Sequence, residues 1–406
     1  MSGIRVNEWL HNSGTGGIWQ TSAGNVGIAS SVPTTKLEVT GDAKISGVTT
    51  ATTFVPTEGQ LSHRRLNVNG AFTVSQKNGS TAKTSISGSD RWVDLIQHYS
   101  SNGGTFTVQR VSDDAPTGYQ YSAKYTVTTP NSSLANGDED MVIHRIEGQD
   151  LAHLSWGSAS AKTITLSFWV KSSLTGDFSV TLQGGGGRCY VTAYTISSAD
   201  TWEQKTVTIP GETSGTWVIN ANAGLAIIWD LGAGSTYEAS SADTWLSVAN
   251  VYRKAGTVRY SATNTATWQI TGIQFEVGSV ATPFEHRSYA DELARCQRYC
   301  HVKVAGGAYS RMSLGYAPGS ANDVRWFCFL NPRMRDTPSS YSYSGAFTCQ
   351  PGSSFDIADV TLEASSSSPD CAILHTDDNT GMSAGQAVSL HANNDTNAKL
   401  IFIAEM

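Results

Sequence analysis

The chain has 406 residues, of which 15% are charged and 39% hydrophobic, and its formal net charge is −7. The charged fraction lies well below the roughly 25% of ordinary soluble domains, yet the hydrophobic fraction is too high for a disordered chain. The acidic balance argues against a nucleic-acid-binding protein, and the absence of any apolar run of about 18 residues argues against insertion into a membrane.

The length predicts two or three domains, and the first segment, residues 1–62, is poor in apolar side chains. Val26, Ile28, Leu37 and Val39 stand between glycine, serine and threonine in short stretches typical of strands. A segment of this size does not close a core without metals, disulfides or other chains, and it holds no cysteine. We therefore predict an intertwined trimeric stem, in which each strand buries its apolar side against two other copies; a flexible tether is the alternative.

Residues 63–287 repeat strand signals at short intervals. The clearest strand alternates polar and apolar side chains and is rich in β-branched and aromatic residues. Many strands without a long helix predict an all-β domain, a β-sandwich of the jelly-roll type. The predicted strands are Phe72–Gln76, Thr105–Val111, Gln120–Thr128, Val142–Glu147, Thr163–Lys171 (the clearest), Ser179–Gln183, Glu203–Ile209, Gly224–Trp229 and Trp268–Val277.

A short helix is predicted next, within a connecting segment at residues 288–303. Ser288 can cap the helix, and Asp291 stands three residues on, in the spacing of a capping box. An apolar stripe with coiled-coil spacing follows. Its members are Tyr289, Leu293, Cys296 and Cys300. Two interpretations stay open: a seam between three copies of the chain, or a helix docked on its own sandwich.

Residues 304–406 predict a second, smaller β-sandwich. Val324–Leu330 is strongly apolar, and Lys399–Ala404 ends the chain with another strand signal. Turn signals such as Pro351-Gly352 divide the rest. The whole chain is therefore expected to be all-β, with a stem, two sandwiches and one connecting helix.

Six motifs follow one another between residues 66 and 300. They are Leu66–Gln76, Asp90–Trp92, Arg145–Glu147, Thr163–Lys171, Ile273–Glu285 and Glu292–Tyr299. This ordered series covers more than half of the chain, and it resembles a module of bacteriophage tail fibres that is related to carbohydrate-binding jelly rolls. Two shorter stretches, residues 24–39 and 331–338, resemble the shafts and final domains of such fibres. The chain departs from the family pattern at Val277 and Cys300, where an acidic residue and a tyrosine are common.

The resemblance implies a structural virion protein: a homotrimeric tail fibre that mediates host attachment, held at residues 1–62 by another virion protein. Met1–Leu10 has no basic stretch followed by an apolar one, so we expect synthesis in the host bacterial cytoplasm. A capsid fibre or decoration, or a baseplate protein without receptor binding, is the first alternative. A glycan-degrading tailspike is the second.

No motif predicts a cofactor, a metal site or an enzyme. The cysteines Cys189, Cys296, Cys300, Cys328, Cys349 and Cys371 are dilute and lack metal-binding spacing, so buried free thiols are expected. The acidic clusters at residues 138–140 and 377–378 fit solvated loops better than glycosidase carboxylates or a calcium site. The glycine run at residues 184–187 lacks the lysine of a phosphate loop and predicts a hairpin loop.

Binding of host cell-surface polysaccharide is the activity that these residue types support best. Aromatic rings can stack on the apolar faces of sugars, while amide and carboxyl groups bind the hydroxyls. Most tryptophans lie in apolar strands and are expected in the core. The candidates therefore come from turn-rich stretches of the second sandwich, the distal and receptor-facing domain; a scaffold role is their alternative. They are Tyr309, Tyr316, Asn322, Asp323, Tyr341 and Tyr343.

Overall fold

The computed structural model describes residues 8–10, 17–39, 62–319, 323–350, 355–377 and 382–406. The chain divides into two compact units, residues 1–57 and residues 58–406. The described residues are mainly β, with several antiparallel sheets and two short helices. The all-β prediction is confirmed at this level.

The described residues of the first unit form a four-stranded sheet. Its strands, in sheet order, are Glu8–Leu10 (β1), Gly17–Gln20 (β2), Val26–Ile28 (β3) and Leu37–Val39 (β4). β3 and β4 run parallel, and the other pairs are antiparallel. Between residues 17 and 39 no valine, isoleucine, leucine or tryptophan side chain is buried; Ile18 is 44% exposed and Leu37 62%. The described part of this unit therefore has no apolar core of its own, and the trimeric stem stays a prediction.

The second unit begins with thirteen strands in two antiparallel sheets. One sheet has the order β16-β13-β12-β15-β10-β7-β6 and the other β14-β11-β17-β9-β8-β5. The strands are Lys83–Ile86 (β5), Asp90–Val93 (β6), Ile96–Ser101 (β7), Thr105–Val111 (β8), Ser122–Thr129 (β9), Glu139–Glu147 (β10), Ile164–Ser172 (β11), Gly176–Gly184 (β12), Arg188–Ile196 (β13), Glu203–Ile209 (β14), Ala223–Asp230 (β15), Trp245–Leu246 (β16) and Thr267–Val277 (β17), with a short helix at Gly148–Leu151 (α1).

The inward faces of these two sheets share one hydrophobic core, which makes this region a β-sandwich. Along β11 every second side chain, from Ile164 to Val170, is fully buried, because strand residues alternate between the two faces of a sheet. Trp229 and Trp268 are also completely buried, as expected for tryptophans in apolar strands. The core thus fixes which residues of each strand point outward.

Eight of the nine strands that the sequence predicts for this region are present in the structure. Phe72–Gln76 is wrong: it is irregular, and Phe72 has a positive φ of 54°. There the Asn69 side chain bonds both the N–H and the C=O of Val74, at 3.1 and 2.9 Å. These side-chain hydrogen bonds replace those of a strand ladder, as asparagine often does in loops.

The predicted helix is present as Tyr289–Gln297 (α2), and the Ser288 hydroxyl accepts the Asp291 N–H at 3.2 Å. Of the four predicted seam residues, Tyr289 is 61% exposed, whereas Cys296 and Cys300 are fully buried inside the chain. Cys300 is not on the helix but begins the next strand. Leu293 and Cys296 pack on Val68, Val74 and Leu95 of the first sandwich. These contacts within one chain correspond to a helix docked on its own sandwich, and the seam between three copies stays a prediction.

After α2 a second pair of sheets surrounds a separate hydrophobic cluster. A three-stranded sheet has the order β18-β27-β21, and a seven-stranded sheet has the order β23-β22-β26-β19-β20-β25-β24. The strands are Cys300–Val304 (β18), Arg311–Tyr316 (β19), Val324–Phe329 (β20), Ser340–Ser344 (β21), Phe347–Gln350 (β22), Phe355–Ile357 (β23), Thr361–Leu362 (β24), Cys371–Thr376 (β25), Ala387–Ala392 (β26) and Lys399–Ile403 (β27). All six cysteines are free thiols; five are buried, as expected, whereas Cys371 is half-buried.

Ion pairs with little exposure join α2 and the end of the chain to the first sandwich. Arg65 pairs with Glu292 of α2, and both side chains are at most 3% exposed. At the chain end, Glu405 pairs with Lys77 at 3.1 Å and with Arg91 at 2.8 Å. Such pairs hold their partners in one arrangement, because separating them would leave a charge buried and uncompensated. Residues 58–406 accordingly form one compact unit.

The buried imidazole of His98 on β7 makes the stability of the fold depend on the pH of the solution. Its ring is fully buried against the rings of Phe106 and Tyr125, and burial lowers the pKa of His98 to about 4. The folded chain therefore keeps this imidazole neutral, whereas the unfolded chain protonates it near pH 6.5. The contribution of neutral His98 to the free energy of unfolding is therefore fully present above pH 6.5 and is lost as the pH falls toward 4.

We expect the variant His98→Leu to lose less stability on acidification than the unmodified chain. Between pH 7 and pH 5 the free energy of unfolding should fall by about 2 kcal/mol less in the variant. Urea unfolding at both pH values measures this difference. The exposed His63 supplies the control His63→Gln, which should behave like the unmodified chain. Equal acid losses in the His98→Leu and unmodified chains would contradict a neutral buried imidazole.

Candidate functional site

The outer face of the seven-stranded sheet in the first sandwich carries a cleft of about 450 Å³. Glu139, Met141, Ile143 and Arg145 of β10 line it, whereas the residues between them face the core. This arrangement follows from the alternation of side chains along a strand. The cleft therefore runs along β10, with an apolar middle and a charged residue near each end.

The segment between β15 and β17 crosses this sheet face and forms one wall of the cleft. The N–H of Tyr252 donates to the carbonyl of Tyr237 at 2.9 Å, which holds the two aromatic residues side by side. Arg253 anchors the segment through a buried ion pair with Asp230 at 3.0 Å. Val251 packs on the outward side of β13. The wall is thus fixed to the sheet by both apolar and charged contacts.

Three tyrosines give the cleft its aromatic surface. The rings of Tyr237 and Tyr252 are stacked, with centroids 5.4 Å apart and an interplanar angle of 25°. Tyr99 of β7 lies across the floor and belongs to the same cluster. Met141, Ile143 and Ile228 form the apolar floor beneath them. Tyr252 is buried at 8% exposure, whereas Tyr99 and Tyr237 are half-buried and offer a partly exposed aromatic surface for stacking.

Polar side chains complete the lining. The Asn250 Oδ1 accepts the Tyr252 hydroxyl at 3.0 Å and the Gln183 Nε2 at 3.4 Å. Arg145 donates through Nη1 to the Gln97 Oε1. Asn250 is exposed and Gln183 is half-buried, so amide groups face the opening. The cleft can therefore contact an apolar ring face and hydrogen-bond hydroxyl groups at once.

Glu139 and Asp140 do not lie in the solvated loop that was expected for residues 138–140, and that prediction is wrong. Both belong to β10 and are at most 7% exposed. Asp140 accepts the Gly104 N–H at 2.8 Å. Burial raises the pKa of Glu139. A hydrogen bond from the Tyr237 hydroxyl lowers this pKa, and the charge of Asp140 raises it further.

Among the described residues no three histidine, cysteine or acidic side chains are grouped to hold a metal.

The glycine run at residues 184–187 forms the hairpin loop between β12 and β13, as predicted. Gly184 and Gly185 line the cleft. A Cβ at Gly184 would lie 2.3 Å from the Trp217 ring, and one at Gly185 would lie 2.6 Å from Val218. Close packing against these two side chains thus requires Gly184 and Gly185, whereas Gly186 and Gly187 have positive φ angles of 80° and 77°, which favour glycine.

The five predicted saccharide residues that the structure describes do not meet at one site. Tyr309 is 64% exposed in the loop before β19, and Tyr316 stacks on Phe327 at 5.9 Å. Tyr341 and Tyr343 lie on β21 in the other sheet and pack against the second core. Asp323 pairs with Arg325 at 3.6 Å, and Asn322 lies outside the described residues. Saccharide binding by these residues stays a prediction.

The second sandwich also exposes large apolar side chains on its seven-stranded sheet. Leu314 and Phe327 pair across β19 and β20, and they are 65% and 38% exposed. Phe329, at the end of β20, is 72% exposed. We refer to Leu314, Phe327 and Phe329 as the apolar patch.

The tyrosines of the cleft were not found from the sequence. Tyr99 lies in a strand that pattern analysis missed, and Tyr237 and Tyr252 are separated from it by more than 130 residues. One available signal was the alternation of Glu139, Met141, Ile143 and Arg145, which marks a strand with an unusually apolar outer face. Only the path of the segment after β15 brings the tyrosines to that face.

Comparisons with known proteins gave structural similarities only. No family model and no curated protein matches the chain. A putative sugar-binding protein from Bacteroides thetaiotaomicron matches with a TM-score of 0.31 at 12% identity, covering 53% of this chain and 100% of that one. A family 11 carbohydrate-binding module from Clostridium thermocellum, in complex with a mixed-linked tetrasaccharide, gives 0.26 at 13%, covering 49% and 100%.

The enzymatically active domain of tailspike protein 4 of bacteriophage CBA120 matches with a TM-score of 0.28 at 11% identity. The match covers 52% of this chain but only 21% of that one. These are similarities at low identity, and none of them assigns a ligand to this chain. Within the described residues, no helix is long and apolar enough to cross a membrane.

Proposed function

We propose that this chain is a structural fibre protein of a bacteriophage virion that attaches to host-surface saccharides through the cleft along β10. The observation that carries the binding proposal is the combination in one cleft of three tyrosines, an apolar floor and polar side chains at the opening. Sugars have apolar ring faces and hydroxyl edges, and such a lining complements both. The volume of about 450 Å³ lies within the usual range of ligand sites.

A binding role agrees better with the lining than a hydrolytic one. Glycosidases generally need two carboxyl groups on either side of the scissile bond, about 5–10 Å apart. Glu139 is the one acidic residue that lines the cleft among the residues that the structure describes. We therefore propose a protein that holds saccharide without cleaving it.

The assignment to a virion rests on the sequence motifs, which resemble those of phage tail fibres. The exposed apolar side chains of the first unit support the trimeric part of the proposal. Ile18, Ile28 and Leu37 are each at least 40% exposed in one chain. Burying such side chains against further copies is favourable by about 25 cal/mol per Å² of apolar surface. A tail location is proposed ahead of a capsid or baseplate location on the motif resemblance alone.

The binding proposal is tested by removing one of the three tyrosine rings that line the cleft. Tyr237 is half-buried, so Tyr237→Ala should leave the fold intact while it removes a stacking surface worth about 1 kcal/mol or more. We expect binding to host-surface polysaccharide, measured by biolayer interferometry, to weaken at least fivefold. Thermal unfolding midpoints check that the variant is folded.

Tyr309→Ala is the matched control, since it removes an exposed tyrosine from the second sandwich. It should bind as tightly as the unmodified chain. If Tyr309→Ala abolishes binding and Tyr237→Ala does not, the site lies in the second sandwich. If the folded, unmodified chain binds no host polysaccharide, the proposed function is wrong.

A further inference from the structure

Arg145 occupies one end of the cleft and Glu139 occupies the other. They are six residues apart on the same face of β10, and β10 pairs with β7 and β15 without a register shift between residues 139 and 144. At about 3.3 Å per residue, the two side chains are separated by about 20 Å along the strand. A ligand that lies along β10 therefore meets a cation at one end and a carboxyl group at the other.

Arg145 is half-buried and has no carboxylate partner among the described residues, in contrast to three other arginines that are partly or fully buried. Arg65, Arg253 and Arg298 each form an ion pair within 3.0 Å. Arg145 donates to the neutral amide of Gln97, and no ion pair to it occurs among the described residues. Glu405, a carboxylate in its surroundings, is already engaged by both Lys77 and Arg91.

The guanidinium of Arg145 is thus half-buried, charged and uncompensated at the edge of a binding cleft. Burial lowers its pKa to about 10, so it remains cationic at neutral pH. Burying a charge without a partner costs free energy, and that cost is recovered when an anion binds. A planar guanidinium presents paired N–H donors that match the two oxygens of a carboxylate or a phosphate group.

We infer that the cleft selects acidic saccharides, and that an anionic group on one sugar ring pairs with Arg145 while the neighbouring rings stack on the tyrosines. Arg145 is the one cationic residue among the described residues that line the cleft, so the preference for an anionic group is expected at its end. This inference rests on the proposed function and specifies its ligand class. Carboxylated and phosphorylated sugars share the chemistry required by Arg145.

The test uses the full chain and a panel of tetra- to hexasaccharides prepared from polygalacturonate, alginate and hyaluronate. Each oligosaccharide is paired with a derivative in which the carboxyl groups are reduced to primary alcohols. A set of phosphorylated oligosaccharides forms a separate arm. Isothermal titration calorimetry should show at least tenfold tighter binding of one acidic class, carboxylated or phosphorylated, than of its neutral counterpart.

Arg145→Gln removes the charge but keeps a side chain that can hydrogen-bond Gln97. This variant should bind the acidic and neutral forms equally, at the level at which the unmodified chain binds the neutral form. Arg145→Lys should restore part of the preference, since it restores the charge without the paired donors. Raising the salt concentration should weaken only the binding of the acidic form.

The outcomes separate this inference from the proposed function. If neutral and acidic forms bind the unmodified chain equally, and Tyr237→Ala weakens both, the cleft binds saccharide but the inference about acidic ligands is wrong. A preference for acidic forms that survives in Arg145→Gln also overturns it. If neither these oligosaccharides nor host polysaccharide binds at all, both proposals fall.

Discussion

Replacing Arg298 with methionine is expected to lower the free energy of unfolding by about 3–5 kcal/mol. Arg298 donates to both oxygens of Glu147, at 2.9 and 2.7 Å, and the Glu147 side chain is completely buried. The Tyr299 hydroxyl also donates to Glu147 at 2.7 Å. Arg298 itself is 31% exposed, so the cost arises chiefly from the carboxylate, which would remain buried with its charge uncompensated.

The matched control for Arg298→Met is Arg295→Met, which carries the same change three residues earlier. Arg295 pairs with Asp291 at 3.5 Å, but the two side chains are 38% and 47% exposed. Solvent-exposed pairs of this kind contribute about 0.5 kcal/mol. Urea unfolding of the two variants measures the difference. If Arg298→Met shifts the stability no more than Arg295→Met, the Glu147 pair does not hold the connecting segment to the sandwich.

The intact chain is expected to have three times the mass of one chain in solution. The reason lies in residues 17–39, where the large apolar side chains are exposed or only partly buried. A chain that lacks residues 1–57, the first compact unit, should fold and have the mass of one chain. Sedimentation equilibrium of both forms measures this change.

The two contrary results have different meanings. An intact chain that sediments as a single copy would rule out the trimeric stem. A shortened chain that remains trimeric would place the contacts in the second unit, where the apolar patch of Leu314, Phe327 and Phe329 is exposed. In that case Phe329→Asp should dissociate the shortened chain, since a charge in an apolar contact is costly.

Strand alternation made most of the first sandwich predictable from sequence. The strands at Thr105–Val111 and Glu203–Ile209 have the predicted limits. Phe106 and Val108 alternate with polar residues in the first strand, as do Val207 and Ile209 in the second. Phe72–Gln76 has a similar pattern but forms a loop, since the Asn69 side chain satisfies the backbone of Val74. A competing side-chain hydrogen bond of this kind is invisible to a periodicity argument.

The candidate site was much less predictable than the fold. Tyr309 and Tyr316 were predicted from their turn-rich surroundings, yet the cleft is formed by Tyr99, Tyr237 and Tyr252. Exposure in a turn says nothing about which distant segments meet. Similarly, residues 138–140 resemble a solvated loop by composition, but pairing with β7 draws Glu139 and Asp140 into β10. In both cases contacts between segments distant in the sequence determined where the residues lie.

The most direct test of the account is a crystal structure of the chain bound to an oligosaccharide from the host surface. We expect sugar rings along β10, between Tyr99 on one side and Tyr237 and Tyr252 on the other, with hydroxyl groups at Gln183 and Asn250. Sugar bound only elsewhere, for example beside Tyr309 and Tyr316, with the cleft free of it, would contradict the central claim.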